Sequence, residues 1–370
     1  MKEHLKIGII GAGGFANFAA KSFLKINGIS IVGVYDIDIV AAKNMANELQ
    51  TKIYDNIKDL LNDSIIDLVY IATPPFLHFT QSKAALYAGK HVVCEKPAAL
   101  KTKEAEELTA YAKQHNLLYV VNLMQRYNPL YKIVNSIIQE NILGDFIHGF
   151  FENYASDEAL TENHWFWDDT KSGGIFIEHG VHFFDMFAGW LGEGKLVNAV
   201  KSSRPGVAKK ITDRVQATVS YKDSFVNFYH GFNQPKILDR QEMRLQFEKG
   251  DITLYEWIPV QIKINAILKN KTIERLSNLL PNCTVEQHKN NFKKTVRGNF
   301  KAIDYDEYVT INYGDMAYKM KCYEELVIAM LTDQWAWIKD KAHKRIIDET
   351  NAIESLKIAE LANNAAVKIS

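Results

Sequence analysis

Short apolar runs alternate with helix-forming segments along the first third of the chain. The apolar runs have the length of buried strands, and we assign strands to 5–10, 29–36, 65–75, 91–97 and 117–123. The segments between them predict a helix that follows the glycines at 11–14 and ends near Asn27-Gly28, and further helices over 38–50, 79–87 and 102–115. Because alternating strands and helices form right-handed βαβ units, we expect a doubly wound, mostly parallel α/β sheet.

The pattern changes after Asn128-Pro129. A helix is expected over about 130–141, followed by an apolar stretch at 146–155 and by runs of strict apolar–polar alternation at 213–223, 224–232, 240–250 and 251–257. Successive alternating strands indicate an antiparallel sheet, so this part has an α+β pattern. Residues 259–320 are polar and irregular, and we interpret them as an insertion or a strand extension of undetermined shape. Two closing helices are expected near 318–339 and 352–367.

Length and composition limit the class of protein. At 370 residues the chain is too long for one ordinary core, so we expect two domains, 1–125 and 126–370. Hydrophobic residues at 47% and charged residues at 24% are typical of a soluble globular protein, and no apolar run is long enough to span a membrane. Because Lys plus Arg (44) equals Asp plus Glu (44), no net field favours nucleic acid, and small molecules are the expected partners. The three cysteines are far apart, which argues against disulfides or zinc and favours a reducing, cytoplasmic compartment.

The first strand-to-helix turn carries a phosphate-binding pattern. Gly11, Gly13 and Ala16 match GxGxxA, in which glycines permit a tight turn and close approach of a pyrophosphate to the helix N-terminus. Asp36 ends the second strand, where a carboxylate accepts hydrogen bonds from ribose hydroxyls. Because Asp36 would repel a 2′-phosphate and no Arg directly follows it, we predict NAD rather than NADP. The alternative is a doubly wound domain that binds no dinucleotide.

Polar residues interrupt an apolar stretch, SGGIFIEHGVHFFD, at 172–185. If this stretch is helical from about Ile175, then Glu178, His182 and Asp185 share one face, and His179 points elsewhere. A carboxylate one turn before an imidazole can orient the ring for proton transfer. The alternative is a buried helix with satisfied polar groups. A metal site is not predicted, because histidines three residues apart make a poor ligand pair without a further cluster.

Two further motifs accompany the glycine turn. IATPPFLH spans 71–78, and Glu95, Lys96 and Pro97 follow the fifth strand. Together with Gly173, Gly174, Glu178, Gly180, His182 and Asp185, these motifs make nearly the whole chain resemble the Gfo/Idh/MocA family. The resemblance implies an NAD(P)-dependent dehydrogenase with a Rossmann domain and a large open-faced antiparallel sheet that commonly builds an oligomer. The family most often has Asp where this chain has Glu178.

The motifs and the strand ends define the expected site. Lys96 emerges at the carboxyl end of a parallel strand, where it can donate to a substrate oxygen and stabilise alkoxide-like charge. We assign catalysis to Lys96, to His182 as general acid/base and to Glu178 as the carboxylate that orients it. Trp167 is a further substrate candidate, with its ring either against a sugar face or in the core. The expected cofactor-binding residues are Gly11, Gly13, Gly14, Phe15, Ala16, Asp36, Ala72, Thr73, Pro74, His78, Glu95, Lys96 and Pro97.

These expectations combine into one functional hypothesis. We expect an NAD-dependent oxidoreductase that transfers a hydride between nicotinamide and a secondary alcohol or ketone of a sugar, polyol or sugar derivative. One alternative is an enzyme that keeps NAD bound and uses transient oxidation for epimerisation, elimination or glycoside cleavage. Another is a non-catalytic NAD-binding sensor. A homodimer or homotetramer is the expected assembly.

Overall fold

The computed structural model describes residues 4–204, 211–288, 294–298 and 300–369. The chain forms two compact units, and each contains more than one segment of sequence. The first comprises Met1–Tyr127, Glu162–Asp185 and Tyr323–Asn364, and the second comprises Asn128–Thr161, Met186–Cys322 and Ala365–Ser370.

This division differs from the single boundary predicted at 125/126. Two later segments pack with the N-terminal one, because side chains far apart in sequence bind each other there. The Glu360 carboxylate accepts from the backbone N–H of Thr102 at 2.8 Å, and the Glu178 carboxylate binds Lys96. Such long-range pairs leave no trace in local hydropathy.

The first unit contains a six-stranded parallel sheet with strand order 3-2-1-4-5-6. Its strands are β1 (Leu5–Ile10), β2 (Ile29–Tyr35), β3 (Lys52–Ile53), β4 (Leu68–Ile71), β5 (His91–Cys94) and β6 (Tyr119–Val121). The helices between them are α1 (Gly14–Phe23), α2 (Ile39–Leu49), α3 (Ile57–Asn62), α4 (His78–Tyr87) and α5 (Thr102–Gln114). This strand order is that of the dinucleotide-binding Rossmann fold, so the predicted fold of this part is confirmed.

Local sequence explains most of these elements. All four residues of β4 are buried, as expected of a strand covered on both faces. Asp38 caps α2 as predicted, since its side chain accepts from the N–H groups of Val40 and Ala41. The strand predicted over 65–75 is shorter than expected, since β4 covers only Leu68–Ile71 and a 3₁₀ turn begins at Pro75. The short β3 and α3 were not predicted.

The second unit contains a ten-stranded, mostly antiparallel sheet in which, among the described strands, only the pairs 146–156 with 224–234 and 195–203 with 367–369 are parallel. Its strands before residue 256 are β7 (Phe146–Ser156), β8 (Lys195–Ser203), β9 (Thr212–Tyr221), β10 (Ser224–Gln234), β11 (Arg240–Phe247) and β12 (Gly250–Tyr255). Alternate residues of β9 and β11 are buried and the others more exposed, which matches the predicted apolar–polar alternation. The helix predicted near 130–141 is α6 (Pro129–Gln139).

The segment at 259–320, whose shape the sequence left open, mostly extends this sheet. It supplies β13 (Gln261–Leu268), β14 (Thr284–Gln287) and β17 (Glu307–Gly314), and a separate hairpin forms from β15 (Thr295–Gly298) and β16 (Lys301–Asp304). Strand β13 pairs with β12 and β17, and the amphipathic α9 (Asn270–Leu279) follows it. Residues 289–293 and 299 lie outside the described part of the chain. The remaining elements are α7 (Asp169–Ser172), α8 (Val181–Leu191), α10 (Lys319–Lys339), α11 (Glu349–Ala365) and β18 (Val367–Ile369), which pairs with β8.

Candidate active site

The glycine turn between β1 and α1 has the backbone that its sequence predicts. Gly11 has φ +102°, and a Cβ at this position would lie 2.5 Å from the carbonyl oxygen of Ala72, just after β4. Any larger residue would therefore be strained and would collide with backbone. The turn thus passes close to the end of β4, the strand next to β1.

Open space lies in front of the α1 N-terminus. A Cβ built on Gly13 or Gly14 meets no atom within 4 Å, and no side chain caps the helix. Unsatisfied N–H groups at a helix N-terminus favour an anion. The turn therefore fits the pyrophosphate of a dinucleotide, with Ala16 fully packed behind it.

Asp36 lies beside this turn, at the end of β2. Its Oδ2 accepts from the N–H of Ala12 at 2.6 Å, and its Oδ1 accepts from the N–H of Asp38 at 2.8 Å. Each carboxylate oxygen keeps capacity to accept another hydrogen bond, as ribose hydroxyls would require. The next residue is Ile37, 93% exposed, so no cation directly follows Asp36.

Glu95 connects the ends of three neighbouring strands. Its Oε1 accepts from the hydroxyl of Tyr70 in β4 at 2.6 Å and from the side-chain amide of Asn122 after β6 at 2.8 Å. Burial raises the pKa of Glu95, while these donors and Lys96 oppose the rise. The carboxylate therefore holds the strand from which Lys96 emerges.

Lys96 and Glu178 form an ion pair across 82 residues of sequence. The Lys96 ammonium donates to Glu178 Oε1 at 2.6 Å and to the Glu178 backbone carbonyl at 2.9 Å. The two side chains are 20% and 13% exposed, so the pair is mostly withdrawn from water. An ammonium has three N–H donors, and two of them are used here.

The segment predicted as a helix from about Ile175 contains a π-helical turn. Phe176–Gly180 is π-helical and α8 follows at Val181. A π turn adds a residue to the turn, so residues before and after it do not keep the one-face relation of an α-helix. Such turns occur frequently at functional sites.

His182 does not receive the carboxylate that the sequence predicted for it. Glu178 binds Lys96 instead, and Nδ1 of His182 has no hydrogen-bond partner among the described residues. The ring is 6% exposed, and burial together with the charge of Lys96 lowers the pKa of His182 to about 3. The imidazole is therefore neutral near neutral pH, and the orienting role predicted for Glu178 has to be revised.

Asp185 pairs with an arginine that the sequence analysis missed. Arg126 donates from Nε to Oδ2 at 2.9 Å and from Nη2 to Oδ1 at 2.8 Å, and Asn351 donates to Oδ1 at 3.3 Å. Asp185 is 1% exposed, and burial raises its pKa against the effect of Arg126. The motif Asp therefore anchors its segment within the first unit, and the sequence carried no local signal for Arg126.

The other predicted site residues also have packing roles. Thr73 donates its hydroxyl to Gln81 at 2.6 Å, and the Phe15 ring stacks on Tyr323 of α10 at 5.8 Å between ring centroids. Trp167 is 7% exposed and packs edge-on against Phe166, so its ring is largely core. The sugar contact predicted for Trp167 stays a prediction, as do the contacts of Pro74 and Pro97 with a cofactor.

Neither a metal site nor a membrane span emerges from the described residues. No group of three or more His, Cys, Asp or Glu side chains in this part of the chain could hold a metal ion. No helix in 4–204, 211–288, 294–298 or 300–369 is long and apolar enough to cross a lipid bilayer.

Comparison with protein families decides the relationship of the chain. The GFO/IDH/MocA description "Oxidoreductase family, NAD-binding Rossmann fold" matches residues 5–123, and the GFO/IDH/MocA C-terminal domain matches residues 131–253. The chain belongs to the Gfo/Idh/MocA oxidoreductase family. The predicted family and the predicted fold class are thereby confirmed.

Curated relatives in this family include sugar dehydrogenases. Glucose-6-phosphate 3-dehydrogenase of Bacillus subtilis is 31% identical over 185 residues, which cover 49% of this chain and 52% of that protein. UDP-N-acetylglucosamine 3-dehydrogenase of Acidithiobacillus ferrooxidans is 32% identical over 126 residues, covering 34% of this chain and 39% of that protein. The chain thus spans about half the length of the first relative and less of the second.

Solved structures share the whole fold. KijD10, a 3-ketoreductase from Actinomadura kijaniata in complex with NADP and TDP-benzene, superposes with a TM-score of 0.75 at 16% identity and 99% coverage of both chains. GenD2 from gentamicin A biosynthesis, in complex with NAD, has a TM-score of 0.73 at 15% identity, covering 98% of this chain and 94% of that one. At such identities the likeness shows the fold alone, and the two neighbours hold different dinucleotides.

Proposed function

We propose that this Gfo/Idh/MocA protein oxidises a secondary alcohol, or reduces the corresponding ketone, on a sugar, polyol or sugar derivative. The observation that carries the proposal is the Lys96 ammonium at the carboxyl end of β5, held by Glu178 with one N–H donor left. Donated to a substrate oxygen, that N–H stabilises the alkoxide-like charge that develops during hydride transfer. The sugar dehydrogenases among the relatives support the substrate class.

The cofactor we propose is NAD. A bound NAD would supply the hydride acceptor, with its pyrophosphate at the α1 N-terminus and its ribose at Asp36. The Asp36 carboxylate, without a following arginine, disfavours the 2′-phosphate of NADP by charge repulsion. This preference rests on the charge at one position.

The hydroxyl proton needs an acceptor, and two residues compete for this role. His182 is the acceptor expected from the sequence, although its pKa of about 3 makes it a weak base. Glu178 is the second candidate, because Lys96 can pass a proton to it across 2.6 Å and take the hydroxyl proton in exchange. In both routes one proton leaves the substrate oxygen and one protein group gains it.

The assembly we propose is a homodimer or homotetramer formed through the sheet of the second unit. Phe225 in β10 is 47% exposed and lies next to the ring of His148 in β7, so the sheet carries exposed apolar surface. Light scattering at micromolar concentration should give at least a dimer, and a monomer would contradict this. Cys94 and Cys322 are buried and form no disulfide in the described part of the chain, which supports the reducing, cytoplasmic compartment that we infer.

Turnover of a panel of sugars, polyols and glycosides tests the reaction. Reduced-nicotinamide absorbance should change with NAD and at least one panel member, and Lys96→Ala should lower turnover by roughly two to four orders of magnitude. Lys101→Ala, which removes an exposed lysine five positions away, is the matched control and should retain activity. Glycoside cleavage or epimerisation with NAD that stays bound through purification would replace net oxidation as the reaction.

Two further variants separate the proton routes. If His182 accepts the proton, His182→Ala lowers turnover by roughly two to four orders of magnitude and Glu178→Gln costs less. If Glu178 accepts the proton, Glu178→Gln lowers turnover more than His182→Ala does. Should both variants turn over at the unaltered rate, neither residue carries the proton.

A further inference from the structure

His78 connects the two loops that leave β4 and β5. It is the first residue of α4 and is 0% exposed. Its Nδ1 lies 2.6 Å from the carbonyl oxygen of Pro97, and its Nε2 lies 2.7 Å from the carbonyl oxygen of Thr73. A single ring therefore spans the loop after β4 and the loop that carries Lys96.

The ring sets the position of these two carbonyls. A buried backbone carbonyl needs a donor, and the His78 ring lies within hydrogen-bonding distance of the carbonyl oxygens of both Pro97 and Thr73. A neutral imidazole carries only one N–H, so it donates to one carbonyl at a time unless the ring is protonated. The carbonyl of Pro97 matters more for chemistry, because Pro97 directly follows Lys96.

We propose that His78 is a positioning residue: by donating its Nδ1–H to the carbonyl of Pro97, it holds Lys96 within hydrogen-bonding distance of Glu178. The inference rests on the proposed function, in which Lys96 acts at the substrate oxygen. It replaces the cofactor contact predicted for His78, since the ring is fully buried and both of its nitrogens face backbone. Misplacement of a catalytic group by about 1 Å lowers the rate about 100-fold. A displaced Pro97 would move Lys96, the residue before it, and would therefore lower turnover.

Three substitutions separate the two ring contacts. The amide nitrogen of Asn is as many bonds from Cβ as Nδ1 is, and that of Gln matches Nε2. His78→Asn therefore retains a donor for Pro97, His78→Gln retains one for Thr73, and His78→Leu retains neither. The matched control is His115→Leu, because His115 is exposed and contacts Tyr111, one turn back, through its Nδ1 at the Tyr111 carbonyl oxygen and through stacking of the two rings.

The first readout is the rate at which an amine-reactive acetylating reagent labels Lys96, followed by mass spectrometry and normalised to the exposed Lys101. In the unaltered protein the ion pair with Glu178 protects Lys96. We expect faster Lys96 labelling in His78→Leu and His78→Gln, and unaltered labelling in His78→Asn and His115→Leu. Equal labelling in all the His78 variants, or faster labelling in His78→Asn too, would overturn the proposal.

Turnover is the second readout. His78→Leu and His78→Gln should lower kcat about 100-fold, with the KM for NAD changed less than about threefold, and His78→Asn should restore most of kcat. If His78→Leu does not fold, the comparison of His78→Asn with His78→Gln decides alone. If no panel substrate turns over while labelling follows the expected pattern, the positioning role stands and the proposed reaction fails.

Discussion

The buried imidazole of His182 makes the stability of the protein depend on pH. In the folded chain its pKa is lowered to about 3 by burial and by Lys96, whereas a histidine in an unfolded chain has a pKa of about 6.5. The unfolded state therefore binds a proton at pH values where the folded state does not. The contribution of the neutral His182 to the free energy of unfolding is fully present above about pH 6.5 and is lost as the pH falls towards 3.

The size of this effect follows from the separation of the two pKa values. Each pH unit below about 6.5 lowers the free energy of unfolding by about 1.4 kcal/mol. Between about pH 7 and about pH 5, His182 alone should therefore lower it by about 2 kcal/mol. His182→Gln removes the titrating group and should remove this part of the pH dependence. Burial also lowers the pKa of His230 to about 3. His230→Gln should therefore remove a similar part of the pH dependence of the unfolding free energy.

Urea unfolding followed by tryptophan fluorescence at both pH values measures the difference. The quantity of interest is the unfolding free energy of the unaltered protein minus that of His182→Gln, which should be about 2 kcal/mol smaller at about pH 5 than at about pH 7. A difference that stays constant with pH would refute the burial of a neutral imidazole.

Three other outcomes are expected. Gly11→Ala should weaken NADH binding, measured by fluorescence, and destabilise the fold by about 1–3 kcal/mol, whereas Gly89→Ala, at φ +74° with no atom near its Cβ, should cost less. Asp36→Ser should narrow the preference for NAD over NADP in calorimetry, and equal affinities in the unaltered protein would contradict the charge argument. Arg126→Met should lower the free energy of unfolding in urea by about 3–5 kcal/mol, because it leaves the buried Asp185 carboxyl without the guanidinium that pairs with it, and adding Asp185→Asn should recover part of that loss.

The sequence by itself determined the elements that depend on neighbouring residues. Helix α2 begins where Asp38 caps it, and β4 is recognisable as a run of buried apolar residues before two prolines. Gly11 was recognisable because only glycine tolerates the backbone angle and the close contact of its turn. The position of Lys96 at a strand end also followed from local pattern, since the carboxyl ends of parallel strands meet at one edge.

The tertiary structure alone decided which polar groups meet. Glu178 was expected to orient the His182 ring, four residues away, but the partner of the Glu178 carboxylate is Lys96. The π turn and the packing of the first unit bring Glu178 and Lys96 together. The pairing of Arg126 with Asp185 likewise depends on distances set by packing. Hydropathy periodicity reports which face of an element is buried, whereas the partner and the pKa of a buried charge depend on atoms contributed by distant segments.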